Sequence, residues 1–426
     1  MASDAAAGHR PTEERCRTPW IGVLCYTLDP PTTKLLNRMA QMPGIRVKAF
    51  PLVFHPYVEP VRQYSVRPTR FRGRFVSIHN RALNYPDVQL FSLSLGTVWA
   101  LVRDSDVVVL FGIHSIPAIL SALLARAMGR PIVTCCLCLP PQVELERPRI
   151  ILWLKKLVFR LTAIFVSESA ASRATLKAVY RIPDERIVDA PFESGGVLFK
   201  KLLEESEADP EATRRSLGLG PDSCGFLFTG SLNHLKGVDV LLGAAALLIR
   251  EGKDVRVVVV GADGAPPHGC RSTLEQQAST LGIADRVHFL GRLPTEEWVT
   301  TYRAADVFVL PTRRDMWGKV LTEAALAGLP LITTEVCAAA HDLVRDGING
   351  FVVPVNSATA LAEAMAKLLD PELRARMGAK AREIVHEYVD AEAETRGYHQ
   401  AFARALALAR GLGPPGCIDV AGAPGK

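Results

Sequence analysis

Asp315 and Glu323 stand eight residues apart in RRDMWGKVLTEAALAGLP, residues 313–330, with Gly318 between them. Asp315 falls in a polar stretch after the apolar run DVFVLP, which Pro311 ends. From Gly318 onward, Val320, Leu321, Ala324 and Ala325 recur at helical spacing, and AGLP closes the pattern. A strand, loop and helix in this order bring the loop and the helix N-terminus to the carboxyl edge of a sheet. The unpaired N–H groups there favour a phosphate, and Gly318 lets the backbone approach a ligand closely. Glu323, one turn into the helix, can accept two hydroxyl hydrogen bonds from a ribose, and Asp315 can bind hydroxyls beyond the phosphates. Taken alone, the spacing also fits a capping acid followed by a surface glutamate.

A second stretch repeats the logic. GFLFTGSLNHLKGVDVLLGAAALLIREG reads as a strand, Gly230, a loop, Lys236-Gly237 and a helix. Lys236 precedes the helix, where a mobile cation can meet a diphosphate; a lysine in a surface turn fits the same letters. VVVVGADGAPP is a third strand-glycine turn. Gly261 and Gly264 give only G-x-x-G with no helix starting at once, which argues against a nicotinamide cofactor.

These loops need sheets to hold them. Short β-branched runs recur before residue 200 (WIGVLCY, IRVKAFP, DVVVLFG, RPIVTCC, AIFVSES, RIVDAP) and after it (GFLFTG, VRVVVVG, RVHFLG, DVFVLP, PLITT, GFVVP). Runs without alternation predict strands buried on both faces, and strands alternating with helices predict parallel α/β units. The polar segment around 205–222 divides the two series. The expectation is therefore α/β: two doubly wound, Rossmann-like domains facing across a cleft. The first covers 19–204 and the second 223–389, with a linker at 205–222. A helix at 390–411 returns to the N-terminal domain. Residues 1–18 read as a disordered leader and 412–426 as a disordered tail.

The chain has 426 residues, 48% apolar and 22% charged, with a net charge of +6. No run reaches the roughly 18–20 apolar residues of a membrane span, and the first residues lack the apolar middle of a secretory signal. A cytoplasmic protein is the expectation. The nine cysteines are scattered; Cys135, Cys136 and Cys138 lie in a strand-like run without zinc-ligand spacing, so buried thiols are expected and no metal site. The dispersed basic residues carry no base-stacking motif, which argues against nucleic acid. RPRIILWLKKLVFRLTAIFV, residues 147–166, places Ile151, Leu154, Val158 and Leu161 at helical spacing among Arg149, Lys155, Lys156 and Arg160. Such a helix either lies on an anionic membrane, here the inner face, or packs on a sheet.

With these pieces in order, residues 225–388 resemble the retaining family 4 glycosyltransferases of the GT-B fold (glycosyl transferases group 1). The matching stretches are FTGSLNHLKG, VVVVGADG, RVHFLGRLPTEEWVTTYRAADVFVLPT, DMWGKVLTEAALAGLP and HDLVRDGINGFVVPVNSATALAEAM. VVVLFGIHSIPAILSALLARAMGRPIV and IFVSESAASRATLKAVYRIPDERIVDAPF look like that family's acceptor-side domain. The resemblance implies transfer of a sugar from a nucleoside diphosphate sugar to an acceptor hydroxyl. It implies retained configuration and no metal; no cofactor is expected, and UDP and GDP are both open as the nucleotide, with UDP slightly preferred. The implied setting is cell-surface polysaccharide or glycolipid synthesis, on a glycan or lipid-linked acceptor.

Residue by residue, Lys236 looks like the lysine that neutralises the leaving diphosphate, next to Gly230 and Ser231. Trp317, Gly318, Lys319 and Val320 look like the stretch whose backbone meets phosphate and sugar, and Glu323 looks like the ribose-binding glutamate. Arg292 and Leu293 look like the base-contacting turn. His114, in FGIHS, is a candidate on the acceptor side. Two positions depart from the pattern. Ser231 replaces a common arginine, and Asp315 replaces the usual glutamate that contacts the donor sugar. These departures keep open a second reading, a glycosyltransferase-like subunit that binds nucleotide-sugar or glycan without turnover.

Overall fold

The computed structural model describes residues 18–27, 30–53, 65–66, 76–78, 88–91, 95–111, 115–136, 138–193, 195–220, 223–263 and 269–410. The expectations for His114, for the leader up to residue 17 and for the tail after 411 lie outside the described residues.

The unalternating apolar runs form strands whose side chains are buried on both faces, as parallel sheets covered by helices require. The strands of the first half are β1 (Trp20–Thr27), β2 (Arg46–Val53), β3 (Ser65–Val66), β4 (Val76–Ile78), β5 (Val88–Phe91), β6 (Val107–Phe111), β7 (Ile132–Cys136), β8 (Ile164–Ser167) and β9 (Ile187–Asp189). They build a seven-stranded sheet in the order β3-β2-β1-β6-β7-β8-β9, while β4 and β5 pair antiparallel apart from it. The second half supplies β10 (Cys224–Thr229), β11 (Val255–Val260), β12 (Val287–Gly291), β13 (Val307–Leu310), β14 (Leu331–Thr334) and β15 (Gly350–Val353). These form a six-stranded sheet in the order β12-β11-β10-β13-β14-β15. All pairs in both large sheets are parallel.

The strand order reverses between β10 and β13, which are neighbours in the second sheet with Phe226 opposite Val307. Ligands of doubly wound sheets bind at such a switch point, beyond the carboxyl ends of the strands. The loops that the sequence singled out follow these two strands.

The change of unit comes earlier than the polar segment suggests. Helix Gly196–Glu205 already belongs to the second unit, because Phe199 is buried in its core beside Trp298 and Tyr302. The chain therefore crosses after Asp189, at about 190–195, rather than at 205–222. That later stretch holds a short helix, Pro210–Ser216, whose start is capped by the Asp209 carboxylate accepting from Glu211 N–H. Polarity there marks a solvent-facing surface, not a crossing.

After the second sheet the chain crosses back. Helix Ala391–Ala409 buries Tyr398, Ala401, Phe402 and Ala405 against the first sheet. Gly397 allows this approach: a Cβ there would lie 2.3 Å from the Asp189 carbonyl oxygen. The two crossings touch, since a Cβ on Gly196 would sit 2.8 Å from Val389 Cγ2 and 3.1 Å from Thr322 Cγ2.

Helix Arg149–Leu161 packs on the first sheet through Val158 and Phe159, with Ile150 and Trp153 each 59% exposed. Lys155 is not on the exposed cationic face that the sequence suggested. It is buried and ion-paired with Glu144, which also accepts from Arg147 Nε at 2.8 Å and Tyr180 Oη at 2.7 Å. A buried lysine persists only with such partners. Cys135, Cys136 and Cys138 are buried free thiols. Among the described residues no helix is long and apolar enough to cross a membrane.

Candidate functional site

The site is assembled from strand ends. β10 stops at Thr229, and Gly230 turns away with φ +149°. Gly230 N–H donates to Val260 O at 2.9 Å, and Gly261 N–H donates to Gly291 O at 2.8 Å, so the ends of β10, β11 and β12 are laced together. A Cβ on Gly261 would lie 1.8 Å from the Gly230 carbonyl oxygen, so only glycine fits there. Arg292, exposed, and Leu293, partly buried against the second core, follow directly from this row at the end of the edge strand.

The loop after β10 runs from exposed Ser231, whose Oγ accepts from Asn233 Nδ2 at 3.1 Å, into the 3-10 turn His234–Lys236. Asn233 Oδ1 caps that turn by accepting from Leu235 N–H at 3.0 Å. Gly237, with φ +69°, opens the next helix, and a Cβ there would meet Pro311 O at 1.9 Å. This contact fixes the first loop against the second.

The second loop, after β13, is bound to the first by residues that the sequence reading passed over. Arg313 donates to Asp239 through both terminal nitrogens, at 2.8 and 2.6 Å, and to His234 O at 2.6 Å. Burial would raise the Asp239 carboxyl, and the Arg313 guanidinium more than offsets this and holds it below its usual value. Arg313 N–H and Thr312 Oγ also donate to Leu235 O, at 2.7 and 2.8 Å. Asp239 and Arg313 are 74 residues apart, so only the third dimension pairs them.

Within this frame Lys236 Nζ meets Asp315 Oδ2 at 2.5 Å, with side chains 23% and 14% exposed. The other Asp315 oxygen accepts from Trp317 N–H at 3.3 Å. Both carboxylate oxygens are thus engaged, and Asp315 turns toward the lysine. This backbone is held from the turn after β14, with Ala338 N–H donating to Asp315 O at 3.1 Å and Ala339 N–H to Trp317 O at 2.9 Å. Trp317 is buried edge-on against Phe192, a residue of the first crossing.

Gly318, with φ +91°, begins helix Lys319–Ala327, and no side chain caps that start. A Cβ on Gly318 would approach Cys337 Sγ to 2.8 Å. Lys319 is exposed at the first helical position and forms no ion pair among the described residues; Val320 is partly buried. Glu323 follows one turn inside. Its Oε2 accepts from Tyr302 Oη at 2.6 Å, and Tyr302 Oη lies 2.5 Å from Thr229 Oγ. Burial pushes the Glu323 carboxyl up, with Tyr302 and Lys319 acting in the opposite direction.

Lys236, Asp315, Trp317, Gly318, Lys319, Val320 and Glu323 are thus gathered where β10 and β13 end. Gly230, Ser231, Arg292 and Leu293 continue the row toward β12. Such an arrangement offers a cation and a helix start to an anionic group, with a carboxylate set beyond the helix start for hydroxyls.

Comparison with known proteins bears on this half of the chain. Residues 209–384 match the family model described as Glycosyl transferases group 1. Every predicted site residue that the structure describes falls inside that segment. The D-inositol 3-phosphate glycosyltransferase of Acidothermus cellulolyticus is 37% identical over 177 residues, covering 40% of this chain and 38% of that protein. The enzyme of the same name from Streptomyces scabiei is 33% identical over 229 residues, covering 48% and 50%. The chain thus spans half or less of the length of these curated relatives.

The whole fold has wider likenesses. Anabaena Alr3699/HepE, solved in complex with UDP, superposes with a TM-score of 0.68 at 19% identity, over 90% of this chain and 99% of that one. Sucrose-phosphate synthase from Thermosynechococcus elongatus gives 0.65 at 19% identity, over 92% and 100%. The fold is GT-B, two doubly wound α/β domains, as the sequence implied.

Proposed function

We propose that this protein is a glycosyltransferase. It moves a sugar from a nucleoside diphosphate sugar to an acceptor hydroxyl with retention of configuration, without a metal, in polysaccharide or glycolipid synthesis. The observation that carries this reading is the juxtaposition of Lys236, the uncapped helix start at Gly318 and Glu323 at the β10/β13 switch point, within the segment that matches Glycosyl transferases group 1. In the reaction the bond from the anomeric carbon to the diphosphate oxygen breaks. Negative charge collects on the diphosphate, where Lys236 and the helix N–H groups stabilise it. The acceptor oxygen attacks from the same face and its proton passes to the departing diphosphate. Glu323 holds the ribose, and Arg292 and Leu293 border the base, with UDP preferred over GDP.

The acceptor is a glycan or a lipid-linked sugar presented at an anionic membrane surface on the cytoplasmic side. In support, the exposed face of helix Arg149–Leu161 carries Arg149, Trp153, Lys156 and Arg160, and these cations form no ion pair among the described residues. Such a face suits a charged lipid surface. Flotation with liposomes, with and without anionic lipid, tests this, and absence from the floated fraction in both would refute it.

The activity is tested by incubating the purified protein with UDP- and GDP-sugars and candidate acceptors, with and without EDTA. The readouts are nucleoside diphosphate release and the anomeric configuration of the product by NMR. Release from one donor, unaffected by EDTA and lost in Lys236→Ala, supports the reading. Release from none, alongside clear nucleotide binding, supports the alternative of a non-catalytic subunit. That alternative draws on Ser231, which supplies no cation, and on the engagement of Lys236 by Asp315.

A further inference from the structure

Glu323 does not stand alone. Tyr302, in helix Thr295–Ala304, is fully buried between Phe199, Trp298 and Phe308, with ring centroids 5.1, 5.8 and 5.9 Å away. Its hydroxyl is the only polar atom of that ring. It lies 2.6 Å from Glu323 Oε2 and 2.5 Å from Thr229 Oγ. An ionised carboxylate only accepts, so Tyr302 donates to Glu323, and its oxygen is left to accept from Thr229. Thr229 is the last residue of β10, immediately before Gly230. A buried chain of hydrogen bonds therefore runs from the end of β10, through the helix behind it, to one oxygen of Glu323.

We infer that Tyr302, oriented by Thr229, is a positioning residue that aims the second oxygen of Glu323 at the two ribose hydroxyls of the donor nucleotide. This rests on the proposed function, which gives Glu323 the ribose. The geometry supports a positioning role over mere filling of space. A phenylalanine would pack equally well among the three aromatic neighbours, but it would leave Oε2 buried without a donor. The carboxylate would then be free to rotate and costlier to keep charged. The ionisable groups acting on Glu323 are Tyr302, from the facing helix, and Lys319, from its own.

The test is calorimetric titration of the wild-type protein, Tyr302→Phe and Thr229→Val with UDP and GDP, each beside its 2′,3′-dideoxy counterpart. The wild type should prefer one ribonucleotide over its dideoxy form by about tenfold or more. Tyr302→Phe should lose most of that preference while binding the dideoxy form as before, and Thr229→Val should lose part of it. Binding of the ribonucleotide to Tyr302→Phe should also fail at a higher pH on acidification than in the wild type, because Glu323 then protonates sooner. An unchanged preference in Tyr302→Phe would overturn the inference while leaving the proposed function standing. Equal weakening for both members of a nucleotide pair would overturn it too, by showing a structural role. If the wild type binds neither nucleotide, or shows no preference for the ribose, the proposed function itself fails.

Discussion

Lys236 Nζ lies 2.5 Å from Asp315 Oδ2, so the cation assigned to the diphosphate is paired with a carboxylate of its own chain. A phosphate must share or displace that partner. Removing the carboxylate charge frees the lysine and removes a repelling group. Asp315→Asn is therefore expected to bind nucleoside diphosphate several-fold more tightly while turning over donor more slowly. Lys236→Ala should weaken nucleoside diphosphate binding by about 10- to 100-fold, the worth of a charge-assisted hydrogen bond. Calorimetry on both variants settles the matter; weaker binding in Asp315→Asn would contradict the assignment.

Lys319 stands exposed at the uncapped start of helix Lys319–Ala327 with no ion pair among the described residues, while Ser231 offers no charge. The second diphosphate cation is then expected from Lys319. Lys319→Ala should weaken nucleoside diphosphate binding by about tenfold and flatten its dependence on salt. Ser231→Arg should restore much of the loss in the Lys319→Ala background. No rescue, together with wild-type affinity in Lys319→Ala, would assign the lysine to the surface.

Gly237 combines φ +69° with a Cβ position 1.9 Å from the Pro311 carbonyl oxygen. Gly237→Ala should cost roughly 2–4 kcal/mol and displace Lys236. Denaturant unfolding reads the first effect and nucleotide titration the second. Retention of both stability and affinity would show that the two loops are not clamped here.

Asp342 links the two units, its carboxylate accepting from Ala170 N–H at 3.0 and 3.2 Å. Burial lifts its carboxyl to about 6, with the Ala170 N–H and Arg345 acting against the rise and Asp189 adding to it. A carboxyl raised on folding costs stability as pH climbs above its unfolded value, with the full cost reached above about pH 6. Asp342→Asn keeps an acceptor for Ala170 without the charge. At pH 8 the variant should be the more stable by up to about 3 kcal/mol, and the two proteins should converge below pH 4. Thermal unfolding across that range is the check. A less stable variant at pH 8 would mean that the helix start favours the charge more than burial opposes it.

Much of this was legible from local pattern. The strands announce themselves because burial on both faces leaves them few polar positions, and Gly230, Gly237 and Gly318 mark turns whose backbone geometry only glycine takes easily. What escaped depends on partners distant in the chain. Arg313 reads as one more charge in a polar loop until Asp239 faces it, and Tyr302 reads as a core aromatic until Glu323 reaches its hydroxyl. Lys155 shares its residue type with the cations around it, and only Glu144 shows that it turns inward. The crossing at 190–195 is too short to stand out as a linker, and Phe199, just beyond it, already plugs into the second core.

The contact between Gly196 and Val389 closes the second unit into a loop with its two ends side by side. In topological terms it is an insertion, since residues of the first core lie both before it, in the sheet, and after it, in helix Ala391–Ala409. Such a piece can be lifted out and another put in its place without cutting a strand of the host sheet. The segment 209–384 lies wholly within it. A half-protein with adjoining ends is a natural cassette.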